Sequence, residues 1–370
     1  MRQKIAEISF LHVFAILLVV IGHSFFRTES RVVDWIYQFH IPLFFFISGY
    51  LLHVSMQGKT ISLCTFLLRK ARRLLLPYFA LSTLLFIPKV LLSRLMVRPI
   101  HAGWGEYAAM LIYPYRNVNG SYWFLPTLFL LFVFAAALLS LSQRLKPRSP
   151  RIFPCILLFL LALANTSLPF SQDTLFNAAG TLHYAFYFAL GYFVSDFLLI
   201  RFLDKERTAL LLFLLTLAAS FISSNTRTAP LAGLLSALNG ILMSVCLARL
   251  YTIHGLRFLG HLSPASYTIY LYHGIFQALS LQILTHLSHL EAACYQSLAI
   301  LTGIYGPLIV YKVLYKFRNS LTGRILAIIS GIHLPLGRSR SLPAGKQRRK
   351  EQPPLSELAA RETPDVRLFR

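Results

Sequence analysis

Charge is scarce in this chain. Only 13% of its 370 residues are Asp, Glu, Lys or Arg, too few to coat a soluble globule of that length. The acidic side is the thinner, with 13 Asp and Glu against 36 Lys and Arg. No convincing carboxylate pair follows from so few acids, which disfavours a proton-coupled transporter of the Asp/Glu type. Cysteine amounts to four scattered residues, Cys64, Cys155, Cys246 and Cys294, three of them inside apolar runs. None has metal or redox spacing, so packing is their reading. A glycine-rich phosphate loop and a G-x-S-x-G nucleophile turn are both missing, which removes the common soluble solutions for phosphate binding and serine acyl chemistry. His286 and His289 could share a metal, but no zinc-type pairing of Cys and His ligands surrounds them, so none is expected.

What remains is apolar sequence, 56% hydrophobic by composition with a mean hydropathy of +0.61. Runs of ~20 apolar residues, the length that crosses a bilayer, recur from end to end. The spacing predicts an all-α, polytopic membrane bundle of about ten transmembrane helices, over residues 5–27, 32–56, 73–97, 120–142, 152–168, 177–200, 208–224, 229–250, 266–285 and 294–316. A β-barrel would show short alternating strands instead. No cleavage site follows the first run, which reads as a retained helix rather than a signal peptide.

The formal charge of +23 is distributed in alternate loops, the positive-inside pattern, and not as a nucleic-acid-binding face. Arg2 and Lys4, the 59–73 cluster, the 144–151 cluster, the 201–207 cluster, Arg249 and Arg257 fall on one side. Both termini are therefore expected in the cytoplasm, with membrane lipid as the constant partner. We divide the chain into a membrane domain over 1–320 and a basic cytoplasmic tail over 321–370. From about Pro335 the tail is too polar to bury a core, so disorder is expected.

Ionisable residues inside hydrocarbon are costly and usually mark sites. Phe10 to Phe26 reads FLHVFAILLVVIGHSFF, with His12 and His23 eleven positions apart. That spacing puts both on one helix face, roughly 16 Å apart along the axis. In FHIPLFFFISGYLL (Phe39 to Leu52), His40, Phe44 and Ser48 share a face, Pro42 predicts a bend and Gly49 allows a close helix approach. FLLRKARRLLLPYF (Phe66 to Phe79) carries Arg69, Lys70, Arg72 and Arg73 at the cytoplasmic entry of the third span. The cluster reads as a topological anchor or as a phosphate clamp, since guanidinium forks match phosphate oxygens. SYWFLPTLFL opens the fourth span with Tyr122 and Trp123 at the outer interface, a site or an aromatic belt. FYFALGYF (Phe186 to Phe193) reads as packing. In LGHLSPASYTIYLYHGIF (Leu259 to Phe276), Tyr270 and His273 are neighbours on one face, a polar site or a satisfied core pair.

The order of these segments, VVIGHS, FHIPLFFFISGYLL, RRLLLPYF, WFLPTLFL, FALGYF and SYTIYLYHGIF, resembles the acyltransferase 3 family of integral membrane O-acyltransferases over roughly residues 5 to 317. The resemblance implies transfer of an acyl group, commonly acetyl, from cytoplasmic acyl-coenzyme A to a hydroxyl of a sugar or surface polysaccharide at the bacterial cytoplasmic membrane. It implies that His23 is the essential histidine, acting as base or as acyl carrier. His12 stands where the family usually has Arg or Lys, and is a candidate for donor binding or for orienting its neighbours. Arg69, Lys70, Arg72 and Arg73 correspond to a cytoplasmic arginine motif and imply binding of the coenzyme's phosphates. His40, Trp123 and His273 match recurrent positions and, with Tyr270, are assigned to acceptor binding or site architecture. A polysaccharide or lipid-linked sugar exporter is the alternative function, since it would share the topology and the aromatic lining.

Overall fold

The computed structural model describes residues 2–25, 30–56, 62–95, 103–145, 152–168, 170–171, 173–194, 205–223, 230–286 and 292–332. Among them are twelve α-helices and no strand. These are α1 (Arg2–Ser24), α2 (Arg31–Met56), α3 (Leu63–Leu91), α4 (Tyr107–Ile112), α5 (Phe124–Leu145), α6 (Ile152–Ser167), α7 (Ala178–Val194), α8 (Glu206–Ser223), α9 (Pro230–Ile253), α10 (Ser266–His286), α11 (Ala292–Lys316) and α12 (Leu321–Ile329).

Each of the ten apolar runs forms a helix among its described residues. Six contain stretches long and apolar enough to cross a membrane unaided, namely those of α1, α2, α3, α5, α9 and α11. The protein is a multi-pass, all-α membrane bundle. Bilayer interiors leave backbone groups no partner but one another, and helices satisfy them within a single segment.

α1 stands at the centre, packed against α2, α9, α10 and α11. Its residues Val13, Ala15, Ile16, Val19 and Val20 are all buried, as an apolar helix surrounded by other helices must be. α2 and α7 pack most closely, through reciprocal glycines. A β-carbon on Gly49 would lie 1.9 Å from the Phe188 carbonyl oxygen, and one on Gly191 would lie 1.9 Å from that of Phe46. Backbones can approach this closely only where side chains are missing, and that contact replaces the hydrophobic drive absent between helices in lipid. Gly49 thus meets the expectation of a close approach, and FALGYF the expectation of packing. Pro42 does not interrupt α2, which runs on to Met56.

Two boundaries differ from the expected ones. α3 begins at Leu63, ten residues before the predicted 73, so the basic cluster lies within a helix instead of ahead of it. No helix breaker stands between Leu63 and Leu74, Lys and Arg are good helix formers, and their aliphatic stems cover apolar neighbours. The segment drawn as the start of the tail contains α12. Ser320 caps it by accepting from Gly323 N–H at 3.0 Å. Gly331, at φ +62°, ends it, and the Ile332 N–H returns to the Ala327 carbonyl at 2.8 Å, a glycine-terminated helix end. A β-carbon at Gly331 would press on the Arg73 carbonyl and Pro77, so α12 is seated on α3. The rest of the tail, from residue 333, lies outside the described residues, as does His289.

Candidate active site

A cleft of about 80 Å³, open at its mouth, runs between α1, α2, α3, α5 and α10. Its polar lining is His12, Ser48, Lys70, Arg73, Ser266, Tyr267 and Tyr270; Phe44, Phe124 and Phe132 are among its apolar walls. The basic cluster divides across α3. Lys70 and Arg73, three residues apart, turn inward, whereas Arg69 and Arg72 are exposed on the outside of the bundle. The Lys70 ammonium lies 4.2 Å from the Phe132 ring centre and 5.4 Å from that of Phe66. The Arg73 guanidinium lies 5.3 Å over the Tyr267 ring, and the Tyr267 hydroxyl donates to the Arg73 carbonyl at 2.6 Å. Ring faces attract cations without neutralising them, and both cations border the cleft. His12 stands edge-on to Phe44, with ring centres 6.0 Å apart.

A second cluster lies further along α1. The His23 ring is 5.5 Å from that of His273 and 6.4 Å from that of Tyr37, which in turn is 5.1 Å from His40. His273 Nδ1 donates to the carbonyls of Tyr270 and Ile269 at 2.7 and 3.1 Å. His40 Nδ1 donates to the Ile36 carbonyl at 2.9 Å. A carbonyl oxygen only accepts, so both rings carry a proton on Nδ1 and present Nε2 outward. The surroundings hold α1 in place. Tyr37 donates to the Gly22 carbonyl at 3.0 Å, and Gln277 Nε2 donates to the Val20 carbonyl and the Ser24 hydroxyl, both at 2.8 Å.

Tyr270 joins the two clusters. It lines the cleft, its ring is 6.3 Å from Tyr267 and 6.4 Å from His273, and its hydroxyl donates to the Ser121 carbonyl at 2.7 Å. Tyr267, Tyr270 and His273 recur every three residues on α10 and make a polar track from the cations to His23. His23 itself is half-buried and is not among the residues that line the cleft; Tyr270 and His273 stand between.

The structure therefore brings together His12, Lys70, Arg73 and Tyr270 around one space, and His23, His40 and His273 around another. It does not bring in Arg69 or Arg72, which a helical α3 turns outward. Trp123 also stands apart from both clusters. It stacks on Tyr115 at 4.9 Å and on Tyr184 of α7 at 5.7 Å, so its ring is engaged by two neighbouring aromatics. Tyr37, Tyr267 and Gln277 were missed by sequence reasoning. For Tyr267 a signal existed, the three-residue recurrence within SYTIYLYHGIF, whereas Tyr37 and Gln277 act across helices that no local pattern connects.

An inward cation pair, a run of polar side chains on α10 and a cluster of imidazoles thus lie within one helical bundle. No curated protein and no solved structure matches this chain. Residues 5–312 match the acyltransferase domain model of the acyltransferase 3 family, a stretch that includes every residue of both clusters. The chain belongs to the acyltransferase 3 family of membrane acyltransferases.

Proposed function

We propose that the protein transfers an acyl group, acetyl in the simplest case, from acyl-coenzyme A to a hydroxyl of a glycan or surface polysaccharide at the bacterial cytoplasmic membrane. The observation that carries this reading is the inward turn of Lys70 and Arg73 into a cleft whose polar lining leads toward His23. Positive-inside charge puts that cationic mouth, and both termini, on the cytoplasmic side, where the coenzyme is found. Lys70 and Arg73 hold the coenzyme's phosphates, Arg73 as a fork and Lys70 as a point charge. The acyl thioester extends along the track past His12 and Tyr270.

His23 acts as general base. As the acceptor oxygen adds to the thioester carbonyl, His23 takes the hydroxyl proton. The tetrahedral intermediate then expels the coenzyme thiolate, which receives the proton from His23. The balance is one hydroxyl and one thioester converted to one ester and one thiol. General base catalysis of this kind supplies ~10²–10⁴ in rate. The step asks nothing of a metal. Placing the base nearer the outer face lets a glycan approach from that side, while a soluble donor enters from the other.

The test is transfer of radiolabelled acetyl from acetyl-coenzyme A into the native glycans of membranes carrying the protein, compared with His23→Ala. We expect incorporation that the substitution reduces at least 100-fold. Full activity in His23→Ala overturns the assignment of the base, and glycan movement with no consumption of the donor supports an exporter instead.

A further inference from the structure

We propose that His273 is a positioning residue for His23, an uncharged substitute for the carboxylate that orients the base in hydrolytic triads, and that His40 supports it from the opposite helix. The inference rests on the reading of His23 as the base. A histidine that takes a proton becomes an imidazolium. Where such a cation forms in a buried site, a hydrogen-bond acceptor beside it fixes the ring's orientation and stabilises the charge. The groups beside His23 include Tyr37 and His40 on α2 and His273 on α10, with Ser24 next in the chain and Gln277 bonded to it. None is a carboxylate.

Most of these groups already spend their protons elsewhere. The Tyr37 hydroxyl donates to the Gly22 carbonyl, the Ser24 hydroxyl donates to the Val20 carbonyl at 2.6 Å, and the Gln277 amide donates to Val20 and Ser24. His273 differs because its Nδ1 proton is committed to two carbonyls of its own helix. That bond sets the tautomer and leaves Nε2 as the acceptor of the neutral ring. Ring centres 5.5 Å apart, with the planes at 34°, make the two imidazoles immediate neighbours. Burial completes the arrangement, since His273 is 1% exposed and water cannot compete for its lone pair. His40 repeats the device, with Nδ1 on the Ile36 carbonyl and a ring 95% buried.

Two partial replacements separate this role from simple packing. Glutamine offers an acceptor near the position of Nε2, and asparagine offers a donor near Nδ1 but nothing at the far edge. The full-length protein is assayed as wild type, His273→Ala, His273→Gln and His273→Asn, with radiolabelled acetyl-coenzyme A varied over native membrane glycans. Thermal unfolding of each purified variant is followed in parallel. His273→Ala is expected to lower kcat by ~10²-fold or more, with the donor KM within about threefold of wild type. His273→Gln recovers at least tenfold over His273→Ala, and His273→Asn does not. Equal activities of the Gln and Asn variants, an unchanged kcat, or a loss confined to KM overturns the proposal. If the His273 variants do not fold, the same Gln and Asn pair at His40 decides: Gln above Asn supports the acceptor role, and equality overturns it. A wild type that transfers no acetyl, or an active His23→Ala variant, refutes the parent reading and is recognised without any His273 variant.

Discussion

The two ends of the polar track are built differently. At one end Lys70 and Arg73 border a cleft and lie over aromatic faces, within reach of a ligand that comes and goes. At the other end the imidazoles of His40 and His273 are buried and donate to main-chain carbonyls of their own helices. A mobile, highly charged ligand needs the first kind of site, because long-range attraction and fork contacts do not require a rigid receptor. A proton transfer needs the second, because a misplacement of about 1 Å can cost 100-fold in rate. The contrast teaches that a single bundle can separate binding from chemistry by choosing whether polar side chains face a cleft or their own backbone.

α2 serves both ends, with His40 in one cluster and Phe44 and Ser48 at the other. Its wall is the contact with α7, so breaking that contact should collapse the distinction. Gly191→Val places side-chain atoms where the Phe46 carbonyl already stands. We expect a loss of 3 kcal/mol or more, of order the worst overpacking, read as a collapsed Tm and low recovery of folded protein. Donor binding and turnover should fall together. A variant with wild-type Tm breaks the view of α2 as a shared wall.

The next effect sharpens the contrast by touching one end alone. Arg73→Ala should raise the KM for acyl-coenzyme A by ~10–100-fold, the worth of one charged hydrogen-bonding group at ~1.5–3 kcal/mol. Arg72→Ala, one residue away but on the outside of the bundle, should leave it within about twofold. Equal losses would show that the whole cluster acts through topology. Lys70→Met should fall between them, with KM raised about three- to tenfold, because an ammonium is a point charge without a fork.

These comparisons also show what the sequence could and could not reveal. The bundle was legible because ten apolar runs of bilayer length have few other solutions, and Gly49 was legible because an intramembrane glycine among large residues has little other use. His23, His40 and His273 stood out for the same reason, as ionisable groups in hydrocarbon. Which of the four cations turn inward was not legible, since the boundary at 73 treated them as one loop cluster and only the earlier start of α3 sorts them into faces. Trp123 stayed open between site and belt because an interfacial aromatic and a packed one look alike in a single chain. Likewise the pairing of Glu7 with Arg249, at 2.6 Å between α1 and α9, connects residues 242 positions apart. Arg249 had been counted only as a topological charge.

The smallest expected effect is the most specific to the His23 end. His23 lies in the last turn of α1, where backbone carbonyls have no partner further along the helix. Tyr37 from α2 fills that vacancy at Gly22, the residue just before His23, and Gln277 from α10 reaches the carbonyl of Val20, two residues earlier. Tyr37→Phe removes one hydroxyl and leaves the ring, so packing survives and only the grip on the helix end is lost. Loss of such a bond costs about 1 kcal/mol, a drop in Tm of a few degrees. If α1 must be held for His23 to meet its partners, kcat should fall about two- to tenfold while the donor KM stays unchanged. A change in KM without a change in kcat would mean that the grip at Gly22 is felt at the cationic end, and that the two ends are mechanically one.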